Sequence, residues 1–309
     1  MTQPVYDLVI VGGGPAGLTA GLYAARAMLK AVLVEKGAVG GQVLLTDWID
    51  NYPGFPEGIS GFELIDKMAA QAARFGLETK LGAVTSMALA GVVKRVILES
   101  GEELEARAVI IATGARPKQL GIPGETELIG KGVSYCATCD GPFYRNQEVA
   151  VIGGGNTAVE EAVYLTRFAS KVTVIHRRDQ LRATKIIQEH AFANPKVHFL
   201  LNTQVQRVEG TDGVEGVRLR SNNGEESSLP VQGVFMLIGT QPNNEMLPLA
   251  ELGADKYGFI PTDGEMRTRI PGVMAVGDIR SKAVRQVVNA AGEGAVATLA
   301  VEEYLNQSG

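Results

Sequence analysis

Two cysteines occur in the 309-residue chain, and they stand together as Cys136-Ala137-Thr138-Cys139. Two intervening residues let such a pair cycle between dithiol and disulfide. Its reactivity is then set by how far the local field favours thiolate. Asp140 follows at once and could exchange a proton with the pair; the plainer reading is a turn carboxylate. A zinc site needs about four ligands. The chain has no third cysteine, and His176, His190 and His198 are scattered, so no metal is expected. A purely structural disulfide across two residues gains little chain entropy.

The second chemistry lies in glycine. The chain has 38 glycines, with no period of three, and they cluster at 12–14, 40–41 and 153–155. The first cluster opens G-x-G-x-x-G at Gly12, Gly14 and Gly17. Gly12 permits a tight turn, Gly14 lets backbone approach a pyrophosphate, and Gly17 lets helix and strand pack closely. The phosphates would meet unpaired N–H groups and the positive end of a helix dipole. Glu35 stands at the end of the next apolar run, where a carboxylate accepts from a ribose 2′-OH. A dinucleotide with a free ribose, FAD or NAD, fits there.

The second cluster is the variant Gly153, Gly155 and Ala158. At the matching strand end stand His176, Arg177 and Arg178, with Arg182 one turn on. Guanidinium groups bind a 2′-phosphate where a carboxylate would repel it, so this site is read as one for NADPH. The alternative is a solvated strand end. Two dinucleotides in one chain suggest electron transfer from NADPH to a flavin. Gly277 and Asp278 end a further buried run, where Asp278 could accept from ribityl hydroxyls; otherwise it is a helix cap. Arg285, Gln286 and Val287 lie near the start of the last helix, whose N-terminus would favour negative charge on a reduced flavin.

These residues need positioning elements. Apolar run, glycine turn, helical pattern and β-branched run occur twice, over residues 7–35 and 149–176. That is the βαβ unit of a doubly wound parallel sheet. The expected fold is α/β, with two Rossmann-like three-layer nucleotide-binding domains. The C-terminal residues are too few for an independent domain, so they complete the first and leave the second as an insertion. The expected bounds are 1–115 and 244–309 for the FAD domain, and 116–243 for the NADPH domain with the cysteine pair. Strand-like runs are read at 92–98 and 108–112, and a long helix at 283–305.

Net charge is −5 with no like-charged block, so no basic face for nucleic acid is expected. No apolar run approaches the ~18 residues of a membrane span. No basic region precedes the first apolar stretch, so a cytoplasmic protein without a signal peptide is expected.

Taken together, these residues resemble the low-molecular-weight bacterial thioredoxin reductases. The resemblance covers essentially the whole chain. It rests on Gly12-x-Gly14-Pro15-Ala16-Gly17, Gly40-Gly41-Gln42, Ala112-Thr113-Gly114-Ala115 and Cys136-Ala-Thr-Cys139-Asp140-Gly141. It rests equally on Gly153-Gly-Gly-Asn156-Thr157-Ala158, His176-Arg177-Arg178 with Arg182, and Gly277-Asp278 with Arg285-Gln286. The resemblance implies a homodimer with one FAD per subunit, and reduction of thioredoxin by NADPH. It adds Pro15, Ala16, Lys36, Gly40, Gly41, Gln42, Asn51, Val84, Ala112, Thr113 and Gly114 to the FAD residues. To the NADPH residues it adds Asn156, Thr157, Ile238 and Gly239. It also implies that hydride passes from NADPH to the flavin, that Cys139 bonds to the flavin, that Cys136 attacks thioredoxin, and that Asp140 donates a proton.

One layout problem follows. Cysteines and NADPH share the inserted domain, yet both must reach one flavin on the other. Rotation about linkers near Arg116 and Gly239 would alternate them. Two competing readings stand beside this one. The first is a reductase of another disulfide carrier, glutaredoxin-like or peroxiredoxin-linked. The second is a nucleotide-sensing protein without turnover, which would not need the cysteine pair.

Overall fold

The computed structural model describes residues 6–46 and 48–307. The chain divides into two compact units, one made of Met1–Arg116 with Gln241–Gly309, the other of Pro117–Thr240. The inserted unit therefore ends before the expected residue 243. Asn243 is tied to the first unit. Its N–H donates to the Gly114 carbonyl at 3.0 Å, and its Nδ2 donates to the Thr113 carbonyl at 2.8 Å. Its Oδ1 accepts from Arg116 at 2.6 Å.

In the first unit the strands Tyr6–Val11, Ala31–Glu35 and Glu78–Leu81 run parallel on one side of the long strand Glu103–Ile111. That strand pairs antiparallel with Lys94–Leu98 through its first half and parallel with Val273–Ala275 through its last three residues. Side chains alternate across this sheet. Leu8, Ile10, Leu33, Ile110 and Met274 face a core that includes helix residues Ala20, Leu64 and Val301. Val9, Val11, Val34, Ile111 and Val273 face Met87, Val96, Leu104 and Ile260. Both faces are covered, so the strands read as continuous apolar runs. The run expected from residue 92 starts at Lys94, because Gly91 turns with φ +85°. The last helix is Val287–Gln307 rather than 283–305.

The inserted unit repeats the layered plan. Val197–Leu200, Lys171–Ile175, Glu148–Ile152, Gly233–Met236 and Val133–Ser134 form an all-parallel sheet in that order. One face packs on Ala158, Ala162 and Leu165 of helix Asn156–Leu165. The other packs on an antiparallel meander of Thr203–Glu209, Gly216–Ser221 and Glu226–Pro230. That helix stops at Leu165. There the Thr166 hydroxyl donates back to the Val163 carbonyl at 2.7 Å.

Candidate active site

The first glycine turn sits at the C-terminal end of Tyr6–Val11, leading into helix Pro15–Arg26. Packing explains two of its glycines. A Cβ at Gly17 would lie 1.8 Å from the Gly12 carbonyl oxygen, and one at Gly12 would lie 2.4 Å from that of Ala112. Gly14 differs: its backbone is extended, and a Cβ there would meet no atom within 4 Å. Among the described residues no side chain caps the helix, and its first turn holds no acidic residue. The N–H groups there are thus directed toward an open approach that an anion fits.

The remaining predicted residues of this unit gather at the same strand ends. Gly41 lies beside Gly14, and Gly277 beside Ala16. Asn51 Nδ2 donates to Gln286 Oε1 at 3.2 Å. Val84 begins the strand Val84–Ala88, which pairs antiparallel with Lys94–Leu98, and it comes two residues after Gly82, whose N–H donates to the Glu35 carbonyl at 2.9 Å. Glu35 holds backbone as well as facing the turn. Its carboxylate accepts from Gly13 at 2.7 Å, Lys36 at 2.8 Å and Gly37 at 3.3 Å. Three of about four carboxylate acceptor sites are then filled, with one remaining on Oε2.

Among the described residues, two buried polar atoms at this end have no hydrogen-bond partner, Thr113 Oγ1 and Arg285 Nε, and Asp278 Oδ1 has only the Lys282 ammonium at 3.7 Å. Burial holds the Asp278 pKa above the ordinary carboxylate value, against the opposing pull of Lys282 and Arg285. Orphaned groups of this kind are costly unless a ligand meets them. An open glycine cradle, two orphaned polar atoms and a carboxylate with acceptor capacity to spare fit a dinucleotide.

Glu293 was not foreseen. It is 6% exposed. Its Oε2 accepts the Gly277 N–H at 2.7 Å, and its Oε1 meets Arg280 at 2.6 Å and Lys282 at 3.0 Å. It thereby fixes the turn that carries Asp278. The available signal was a lone charge in the small-residue run 290–297.

The second glycine turn has the same division of labour. A Cβ at Gly153 would lie 2.5 Å from the Leu237 carbonyl, one at Gly154 would lie 2.4 Å from the His176 ring, and one at Gly155 would meet nothing within 4 Å. Asn156 and Thr157 begin the helix, and Asn156 Oδ1 accepts the Thr184 N–H at 2.9 Å. His176 is buried, and among the described residues its Nε2 has no hydrogen-bond partner. Burial first, then the charges of Arg182, Arg178 and Arg177, hold its pKa below the ordinary histidine value. The three arginines are exposed around it. Ile238 and Gly239 follow the Gly233–Met236 strand, and Leu237 between them donates its N–H to the Ile152 carbonyl at 2.8 Å. All ten predicted residues thus lie beside or after the C-terminal ends of three parallel strands.

Cys136 and Cys139 form a disulfide, with Cα atoms 5.3 Å apart. Cys136 precedes the short helix Ala137–Asp140. Ser134 Oγ both accepts the Cys136 N–H at 3.1 Å and donates to the Cys136 carbonyl at 3.3 Å. The Cys139 N–H donates to Cys136 Sγ at 3.2 Å. The Asp140 N–H donates to the Cys136 carbonyl at 3.1 Å. Burial and the Asp140 charge raise the Tyr144 phenol to about 12. The cysteines and the arginine-lined turn lie on one unit; the acidic turn lies on the other.

A chain with two nucleotide cradles and a two-residue-spaced disulfide is built as a disulfide-handling oxidoreductase. The pyridine nucleotide-disulphide oxidoreductase pattern matches residues 6–294, and the chain belongs to that family. It is 47% identical over 306 residues to the thioredoxin reductase of Mycolicibacterium smegmatis, covering 98% of each chain. It is 46% identical over 308 residues to that of Bacillus subtilis (strain 168), covering 99% of this chain and 96% of the relative. The crystal structure of thioredoxin reductase from Streptococcus pyogenes MGAS5005 superposes with a TM-score of 0.94 at 47% identity, over 98% of this chain and 99% of that one. The chain is a flavoprotein oxidoreductase whose cofactors are FAD and NADPH.

Proposed function

We propose that this chain reduces the disulfide of thioredoxin with NADPH: NADPH, a proton and thioredoxin disulfide give NADP⁺ and thioredoxin dithiol. The observation that carries this reading is the Cys136–Cys139 disulfide on the unit whose glycine turn faces Arg177, Arg178 and Arg182. The nucleotide assignments are part of the proposal. Gly12, Gly14, Gly17, Glu35, Thr113, Asn51, Asp278 and Gln286 hold FAD. Gly153, Gly155, Asn156, His176 and the three arginines hold NADPH. Bound FAD supplies the two-electron step between nicotinamide and disulfide.

The protein's own groups do the rest. The N–H groups after Gly14 and Gly155 bind the two pyrophosphates. Arg177 and Arg178 clamp the 2′-phosphate. Once the pair is reduced, Cys136 is the nucleophile. The Cys139 N–H, 3.2 Å from its sulfur, stabilises the thiolate as it attacks the partner disulfide. Asp140, which follows Cys139, is the proton donor to the departing thiolate.

The chain also works as a homodimer under this proposal. Support comes from apolar side chains exposed on helices of the first unit: Tyr23, Val288, Val296 and Leu299 are 38–59% exposed. Among the described residues no helix is long and apolar enough to cross a membrane, and the proposed location is the cytoplasm.

The test is NADPH oxidation by the purified yellow protein against a panel of disulfide carriers. Thioredoxin should be preferred over glutaredoxin-like and peroxiredoxin-linked carriers. Cys136→Ser should abolish turnover while FAD stays bound. A flavin-free protein, or one indifferent to thioredoxin, overturns the reading.

A further inference from the structure

The carboxylate of Glu161 accepts the Ala137 N–H at 3.0 Å. Among the described residues this is the only hydrogen bond the Glu161 side chain makes. Ala137 sits directly between Cys136 and the rest of the redox turn. Glu161 stands on the Asn156–Leu165 helix, which begins at the second glycine turn. The Glu161 carboxyl group is thus fixed one residue from Cys136, on the helix that begins at the second glycine turn.

We propose that Glu161 is a positioning residue that anchors the redox turn and keeps the Cys136–Cys139 pair strongly reducing. This rests on the reading of that pair as the redox centre. The argument is electrostatic. Opening the disulfide creates thiolate, and a nearby carboxylate disfavours a second negative charge. Destabilising the reduced form lowers the reduction potential, so the pair gives up electrons more readily. Glu161 also takes the Ala137 amide, a donor that would otherwise be available to stabilise sulfur. What Cys136 Sγ keeps is the Cys139 N–H at 3.2 Å and the Thr138 hydroxyl at 3.3 Å.

Another carboxylate near the pair is quenched. Glu125, fully buried, accepts from Leu120, Gly121 and Ile122 N–H groups and from the Tyr135 hydroxyl. Glu161 has one such donor. Burial and the neighbouring Glu160 raise its pKa, while the Ala137 bond pulls it back. Asp140 is the remaining carboxylate at the turn.

The test uses holoenzyme. Glu161→Gln keeps an oxygen to accept from Ala137 and removes the charge. Wild type and variant are equilibrated in glutathione redox buffers, and their thiols are trapped and counted. Reduced protein is alkylated with iodoacetamide across pH. The variant should favour dithiol about tenfold more, a shift of ~30 mV. Its Cys136 alkylation profile should move to lower pH. Glu160→Gln, which removes an exposed charge without a bond to Ala137, should shift neither. Unchanged potential and profile in Glu161→Gln overturn the inference, as does an equal shift in Glu160→Gln. If NADPH exposes no trappable thiols in wild type, the functional reading itself falls. If wild type responds and Glu161→Gln matches it, only the inference falls.

Discussion

The carbonyl oxygen of Gly154 accepts the backbone N–H of Arg182 at 2.6 Å, and it accepts that of Ala183 at 3.1 Å as well. One peptide group at the centre of the glycine turn therefore fixes where the arginine-bearing loop begins its return. The proposed cradle for a pyrophosphate and the proposed cations for a 2′-phosphate are therefore built as one piece. Under that proposal, specificity for the phosphorylated nucleotide rests on backbone geometry as much as on side-chain charge.

From this, Arg177→Ala with Arg178→Ala should raise KM for NADPH far more than for NADH. A charge-assisted hydrogen bond is worth roughly 1.5–3 kcal/mol, or about one to two decades. Steady-state kinetics with both nucleotides checks this. Equal changes in both KM values would show that neither arginine meets the 2′-phosphate.

The two kinds of glycine should separate cleanly by mutation. At Gly14 and Gly155 the backbone is extended and a Cβ finds open space. Alanine there should leave apoprotein stability within about 1 kcal/mol, the scale of a cap change. Gly14→Ala should lower FAD retention, and Gly155→Ala should raise KM for NADPH. Gly17→Ala puts Cβ 1.8 Å from a backbone oxygen and should destabilise by more than the ~1–3 kcal/mol of ordinary overpacking. Thermal melts of apoprotein beside flavin content measure both. If Gly14→Ala unfolds the protein while Gly17→Ala does not, the division is wrong.

His176 gives a pH dependence. Its folded pKa lies below the ordinary value through burial and then the three arginines. The unfolded chain therefore takes up a proton that the folded one refuses. Stability is full above the unfolded value of about 6.5 and declines as pH falls below it. His176→Gln should flatten that acid arm in Tm measured between about pH 5 and 7. A bound 2′-phosphate should return the pKa upward, so NADP⁺ binding should take up a proton. Parallel melting curves for wild type and variant would rule out this origin.

Contiguity decides what could be read in advance. Gly12–Gly17, Gly153–Ala158 and Cys136–Asp140 put chemistry and turn in one short stretch, and their elements follow. Glu293 and Asn243 act on Gly277 and Thr113, which are remote in sequence, and nothing local marks those pairings. Glu161 sits beside Glu160 and reads as a second surface charge. The meander over the inserted sheet is hidden differently. A register shift between Val205 and Arg207 breaks the period-two pattern by which a half-buried strand is recognised.

The order of synthesis gives the interrupted first unit a different life from the second. When Thr240 has been added to the growing chain, every strand of the inserted sheet has been synthesised. The outer sheet still lacks Val273–Ala275, and Ala20 and Leu64 still lack Val301 of the terminal helix. At about 5–20 residues per second, residues 241–309 take roughly 3 to 14 s to add. During that interval an apolar surface waits uncovered on the nascent chain. Proteolysis of ribosome-held chains should find residues 117–240 protected before residues 6–111. Under the proposed assignment, the unit that takes the flavin is the last to acquire all of its strands.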